Sequence, residues 1–450
     1  MRKVAASLGV VVATAVLAIN HPAEAAQARA APSADLAVLQ QQLNVLRGEY
    51  EAKIGELEAR LKAAEDAAAS AAPAAEAELA PSEMTPEPEP PARTSSANAM
   101  NPGVSVVLNG NYVATSRDPA GAAVSGFPLG EEAGLPGRGF SLGESEITLA
   151  ANVDPYLSAN LTASFSGDNQ VSVEEAYVQT TGLPAGLTLK AGRFFSAIGY
   201  LNERHAHNWS FIDMPLPYRA LLGNQYGDDG VQLRWLAPAP FFLEFGGELY
   251  RGDSFPAGNG DRNQPGTQTA FVHTGADIND ESSWLAALSY IHTEGRARDT
   301  GGDVFTGKDG LAIASLVYKW APGGNPTQRN LTLSGEYFLG RQDGAFNGVP
   351  VARDEQGWYA QGVYQFTNRW SAGLRYARLG EVGAPPALAG STLDGMGRVP
   401  SAASVLLEYD SSEFGRFRAQ YTHDMADVRA NDELLLQYTV VYGPHGAHRY

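Results

Sequence analysis

The stretch "YLSANLTASFSGD" changes chemistry at every step. Leu157, Ala159, Leu161, Ala163 and Phe165 alternate with Ser158, Asn160, Thr162, Ser164 and Ser166. Successive side chains of an extended chain point to opposite faces, so this pattern predicts a strand with one apolar face and one face of small polar groups. A soluble sandwich would turn the apolar face inward. A membrane barrel turns it out to lipid and lines water with the polar face. The end of the chain, "LLLQYTVVYGPHGAHRY", repeats the rhythm: Leu436, Tyr438, Val440 and Tyr442 fall on every second residue. Counting back from Tyr450 by twos reaches the same set through a Gly-Pro break, which puts an aromatic terminus in phase with the apolar face.

Connection lengths separate barrel from sandwich. Period-two segments are predicted near 104–115, 142–153, 156–166, 171–180, 186–194, 229–236, 241–250, 269–278, 283–292, 310–320, 329–340, 356–366, 369–379, 402–410, 415–424 and 432–442. Short links such as "DP" at Asp154-Pro155, "APAP" at 237–240, "NDES" at 279–282 and "TN" at Thr367-Asn368 alternate with long ones. The long ones are 116–141, 195–228, 251–268, 293–309, 341–355 and 380–401. Outer-membrane barrels have tight periplasmic turns and long external loops. The expected fold is therefore an all-β transmembrane barrel of about 16 antiparallel strands over 103–450. Trp235, Trp284, Trp320 and Trp370 all fall beside short links, as one interfacial girdle requires, with Tyr290, Trp358 and Tyr376 near the opposite rim.

The N-terminus reads differently. Arg2 and Lys3, the run "LGVVVATAVLAI" and the small residues "AEAAQA" form a secretory signal pattern over 1–28. No later stretch has the roughly 18 unbroken apolar residues of a membrane helix. Over 33–66, apolar residues recur at Leu36, Leu39, Leu43, Leu46, Tyr50, Ile54, Leu57, Leu61 and Ala64, a heptad seam with a stutter at Tyr50. This predicts an α-helical coiled coil, expected to self-associate as a homotrimer. Residues 67–102, rich in Ala, Pro and Glu, form a linker without a core-forming pattern. The chain has no cysteine, which excludes disulfides and thiolate metal ligands, and its net charge of −18 disfavours nucleic acid as a partner.

Several charged residues share parity with the polar face. Lys190, Arg234, Glu244, Glu248, Lys319, Glu336, Arg375, Glu408 and Arg418 are expected to line the lumen. Residues 101–450 carry 24 Lys and Arg against 37 Asp and Glu, which leans towards cation preference. "ERHAH" places His205 and His207 on one side of an extended segment. The pair offers a candidate metal site that Glu203 or Asp213 would have to complete. "HGAH" repeats the idea with His445 and His448. Ser210 near His207 lacks the spacing of a catalytic set, and no enzyme is expected.

Two resemblances follow. General and substrate-selective porins resemble this plan, and in them the third external loop folds into the lumen. That likeness implies that 196–228 narrow the pore, with Glu203, Arg204, His205, His207, Asp213 and Arg219 at the constriction and Tyr218, Asp228 and Asp229 beside them. The phrases "GFSLGESEITLAANVDPYLSANL", "LPAGLTLKAGRFFSAIGYLNERHAHNW", "YGDDGVQLRWLAP", "VYKWAPGGNPTQRNLTLSGEY" and "GPHGAHRY" also resemble proteobacterial proteins labelled zinc-regulated (TonB-dependent) outer-membrane receptors. That likeness implies zinc as cargo rather than as a resident cofactor. TonB-dependent receptors resemble a larger barrel with an N-terminal plug, whereas a coiled coil and linker look more like a porin extension.

The sequence thus points to a channel in the outer membrane of a Gram-negative bacterium, passing small hydrophilic solutes, with its N-terminus in the periplasm. Uptake of zinc or chelated metal, and a cell-envelope tether through the coiled coil, stand as alternatives. Expected partners are outer-membrane lipid and lipopolysaccharide, the barrel-assembly machinery and, through the helix, peptidoglycan.

Overall fold

Hydrocarbon offers no hydrogen bonds, so a sheet that crosses it must pair every backbone group by closing on itself. The computed structural model describes residues 102–443, apart from 131–132, 168–169 and 259. The expected signal segment 1–28, coiled coil 33–66 and nearly all of the linker 67–102 lie outside these residues, as do His445 and His448.

The strands are β1 (Gly103–Thr115), β2 (Gly139–Leu142), β3 (Ser145–Asn152), β4 (Leu157–Phe165), β5 (Val171–Thr180) and β6 (Leu187–Phe195). There follow β7 (Gly227–Leu236), β8 (Phe242–Tyr250), β9 (Thr267–Asn279), β10 (Ser282–Asp299), β11 (Val304–Trp320) and β12 (Asn330–Phe346). The last are β13 (Val349–Gln365), β14 (Trp370–Leu379), β15 (Ser401–Ser412), β16 (Gly415–Asp424) and β17 (Asn431–Tyr442). Every pairing is antiparallel, and β17 returns to β1 with Leu108 opposite Val440, so the sheet closes. Both β2 and β3 pair with β1, at 110–113 and 103–107 respectively, and they form one stave broken at Gly143 and Glu144. The seventeen strands among the described residues are therefore sixteen staves, the number the alternation predicts.

The two faces differ as a lipid-facing barrel requires. Leu108, Leu288, Leu316, Leu339, Leu374 and Leu436 stand exposed on the outer face, Leu374 by 67%. Ser289, Ser315, Ser334, Gln361, Ser371, Ser404 and Thr439 are buried on the inner face. Trp235 stacks on Phe245 at 5.7 Å and Trp370 packs on Tyr409 at 4.8 Å, both pairs beside short turns. Trp358 and Tyr376 meet at 5.5 Å toward the other rim.

Two expected long connections prove to be strand. Residues 293–309 and 341–355 continue the ladders of β10 to β13, with Thr293 opposite Asp309 and Phe305 opposite Phe346, leaving only 300–303 and 347–348 as turns. Their outward residues, among them Lys308, Arg341, Asp343 and Asp354, are charged rather than apolar. Above the lipid an outer face meets water, and the apolar half of the alternation disappears while the hydrogen bonds continue. Inward, Phe305, Phe346 and Val351 pack against Leu388 and Leu393 of the 380–400 connection.

Candidate functional site: the third external connection and the inner wall

Residues 196–226, between β6 and β7, form the third external connection. Gly199 turns the chain at φ +66, and an added Cβ there would meet Glu336 Oε1 at 2.7 Å and the Tyr218 hydroxyl. A short helix α1 (Leu216–Leu222) follows, ended by Gly223 in the left-handed conformation. Every residue of α1 is buried.

This connection bonds to many staves. At its start, Glu248 on β8 accepts from Ser196 Oγ and from the Ala197 amide at 3.0 Å. The Gly199 amide donates to Ser289 Oγ on β10 at 3.1 Å. Glu336 on β12 then accepts from the Tyr200 amide at 2.7 Å, Ser315 Oγ at 2.5 Å, Tyr218 OH at 2.8 Å and Tyr359 OH at 2.6 Å. Farther on, Arg375 on β14 donates to Asp213 O at 2.6 Å and Asp213 Oδ1 at 2.5 Å. Arg418 on β16 donates to Trp209 O at 2.7 Å, Gln420 accepts from the Ile212 amide at 2.8 Å, and Arg219 pairs with Asp424 at 3.3 Å. A segment that reaches β8, β10, β12, β14 and β16 by inward side chains lies inside the sheet.

Apolar residues complete the packing. Trp209, Met214, Leu216, Leu221 and Leu222 join Ile291, Leu311, Ile313, Phe338 and Leu379 of the walls, with Val124, Phe127 and Ala426 from other connections. The inner face is therefore not polar throughout. These strands are apolar on both faces at one end because the third connection covers them.

The near side of the connection holds a cluster of charge. Glu146 lies on β3, and Glu174 and Glu175 lie on β5. Thr162 of β4 pairs with Glu175 and Ala163 with Val173, so Glu174 is the extra residue of a β-bulge. The bulge turns two successive carboxylates to the inner face, where alternation would have opposed them. His205 Nδ1 lies 3.0 Å from Glu174 Oε2 and 3.4 Å from Glu146 Oε2, and its Nε2 lies 3.0 Å from Glu175 Oε2. His207 Nδ1 lies 2.9 Å from Glu146 Oε1, and the two imidazoles stack at 5.8 Å. Burial works against a charged His205, but the carboxylates of Glu174, Glu175 and Glu146 outweigh it and hold its pKa well above the usual range. Asp213 behaves oppositely: burial would raise its pKa, and Arg375 and Gln420 bring it below the ordinary value.

The predicted residues fall into separate groups. Arg234 pairs with Glu203 and, at 3.6 Å, with Glu244, and Lys190 lies 3.6 Å from Glu203. Glu408 faces Arg416 at 3.6 Å. Arg204 covers the Tyr200 ring at 4.2 Å, and Lys319 sits on the inner parity of β11. Asp228 and Asp229 belong to β7 rather than to the connection, and Asp229 pairs with Arg193 on the exposed side at 2.8 Å. Glu203 and Asp213, expected to complete a histidine site, are bound to Arg234 and Arg375. The groups that do meet His205 are Glu146, Glu174 and Glu175, which the sequence reading missed. Two adjacent glutamates in an otherwise alternating strand were the available signal.

No protein-family profile matches the chain. Among solved structures, OprB of Pseudomonas putida aligns at a TM-score of 0.51 and 12% identity, over 76% of this chain and 94% of OprB. The outer membrane channel DcaP of Acinetobacter baumannii aligns at 0.49 and 11% identity, over 76% of this chain and 96% of DcaP. With its closed sixteen-stave sheet and apolar outer face, the chain is a porin-like barrel of the Gram-negative outer membrane. The zinc-regulated, TonB-dependent receptor label finds no support, since plugged transporters of that kind have about 22 strands. An uncharacterized protein of Aquifex aeolicus (strain VF5) is 30% identical over 390 residues, covering 78% of this chain and 81% of the relative. The chain belongs to the family of that Aquifex protein.

Proposed function

We propose that the protein is a narrow, selective diffusion channel for small hydrophilic solutes, with residues 196–226 as its constriction. The observation that carries this reading is the pinning of that connection to inward side chains on opposite staves, from Glu248 and Ser289 to Arg375 and Arg418. A sixteen-stave barrel is wide enough for an aqueous lumen, and a segment held across it sets the effective width. The apolar packing around α1 favours a tight passage over a wide general pore.

Selectivity comes from the groups at the edge of the packed region. Opposed charges such as Arg416 and Glu408, or Arg234 and Glu244, bind solutes weakly enough to release them. The acid excess over 101–450 favours cations. Assembly as a homotrimer, through the outer face and the N-terminal helix, belongs to the same proposal.

Single-channel recording in planar bilayers tests it. The expected result is small ohmic steps with a cation-selective reversal potential in a salt gradient. Removal of residues 200–222 should raise the step size several-fold. Absence of conductance from both the full chain and the shortened form would sink the channel reading.

A further inference from the structure

We propose that Glu146, Glu174 and the Nδ1 atom of His205 bind a divalent transition-metal ion, which clamps the third connection to β3 and β5. One donor atom from each of these residues lies within 4.8 Å of the others. The separations from His205 Nδ1, 3.0 Å to Glu174 and 3.4 Å to Glu146, are close to the roughly 3.3 Å between ligands around a tetrahedral ion with bonds of about 2.0–2.1 Å.

Three further observations point to a ligand. First, Glu174 Oε1, the carboxylate oxygen other than the Oε2 that faces His205, is buried without a hydrogen-bond partner on a side chain only 10% exposed, so the ion can be met by both oxygens. A buried carboxylate oxygen left unsatisfied is costly, and a cation is the partner it suits. Ser164 and Glu144 also lie beside this carboxylate. Second, the other imidazole nitrogen, His205 Nε2, faces Glu175 at 3.0 Å. Metal-bound histidines characteristically give their second N–H to a carboxylate, which fixes the tautomer and the ring. Third, His207 holds the non-ligating oxygen of Glu146 at 2.9 Å, so one ligand carboxylate is itself oriented.

The bulge at Glu174 gives the arrangement its geometry. It inserts a second inward carboxylate where β5 would otherwise supply one. Imidazole together with carboxylates suits zinc and its neighbours better than calcium, which prefers an all-oxygen shell. Three protein ligands leave a fourth position for water. On binding, the ion takes the Nδ1 lone pair, which requires Nδ1 without a proton, while Nε2 keeps its bond to Glu175.

The inference concerns a resident ion and stands apart from the channel reading, because binding is measured without transport. The full-length protein in detergent is treated with chelator and titrated calorimetrically with Zn2+, then with Mn2+ and Ca2+. The expected result is saturable binding of one Zn2+ per chain, with Ca2+ much weaker. Glu175→Gln, which removes the acceptor behind His205, should weaken Zn2+ about 10–100-fold. Glu174→Gln should weaken it further. His445→Ala/His448→Ala should leave the tight site intact. Heat-modified gel mobility verifies that each variant is folded. Zn2+ binding unchanged in both folded glutamate variants, unsaturable binding, or Ca2+ as tight as Zn2+ would each overturn the proposal.

Discussion

The loss of one phenol hydroxyl should loosen the third connection by a calculable amount. Glu336 is fully enclosed and accepts four hydrogen bonds, from the Tyr200 amide, Ser315, Tyr218 and Tyr359. Tyr218 is a complicated target, since its oxygen also accepts from the Leu201 amide at 3.2 Å. Tyr359 on β13 only donates to Glu336 in this network, so Tyr359→Phe removes one hydrogen bond and little volume. A hydrogen bond to a charged acceptor contributes about 1.5–3 kcal/mol. At about 1.4 kcal/mol per tenfold, local opening should become about 10–150 times more frequent. Hydrogen exchange of the Gly199, Tyr200 and Leu201 amides measures this directly. Exchange at β3 and β4, far from Glu336 in the ladder, should stay unchanged. In bilayers the variant should show noisier and larger current steps. Protection within twofold of the parent at Tyr200, with unchanged conductance, would refute the idea that Glu336 anchors the connection.

Other outcomes follow from the same geometry. Gly199→Ala should release the same anchor, because positive φ and the Glu336 contact at 2.7 Å leave no room for a methyl group, and conductance should rise as it does for Tyr359→Phe. The depressed pKa of Asp213 means that its bond to Arg375 stabilises the connection at and above the ordinary aspartate range. That stabilisation is lost as pH falls through the lower folded value, so conductance should step up only in strong acid, and Asp213→Asn should abolish the step. Leu374→Arg, on the lipid face between Trp370 and Tyr376, should destabilise the barrel by about 2–4 kcal/mol in urea unfolding from lipid. An effect under about 0.5 kcal/mol would place that face away from lipid.

The sequence by itself determined the barrel. Alternation in β4 and β17, turn residues at Asp154-Pro155 and Thr367-Asn368, and tryptophans beside short links depend only on neighbours along the chain and on the solvent outside. A period of two is dictated by backbone geometry, so strand number and the inward parity of Lys190, Glu336 or Arg418 are readable in one dimension. Where the strands leave lipid, the outer face loses its apolar half. The signal then fails although the ladder continues, as in β10 to β13.

Only the tertiary structure decided what meets inside. Glu203 and Asp213 were close to the histidines in sequence, yet each is held by an arginine from another stave. Glu146 and Glu174 are distant in sequence, yet they converge on His205 because the β3–β4–β5 ladder sets them on nearby staves, the third connection folds back against those staves, and a single bulge reverses the parity of Glu174. Contacts across a closed sheet depend on register and on where a long connection folds back, and neither leaves a periodic trace in the chain.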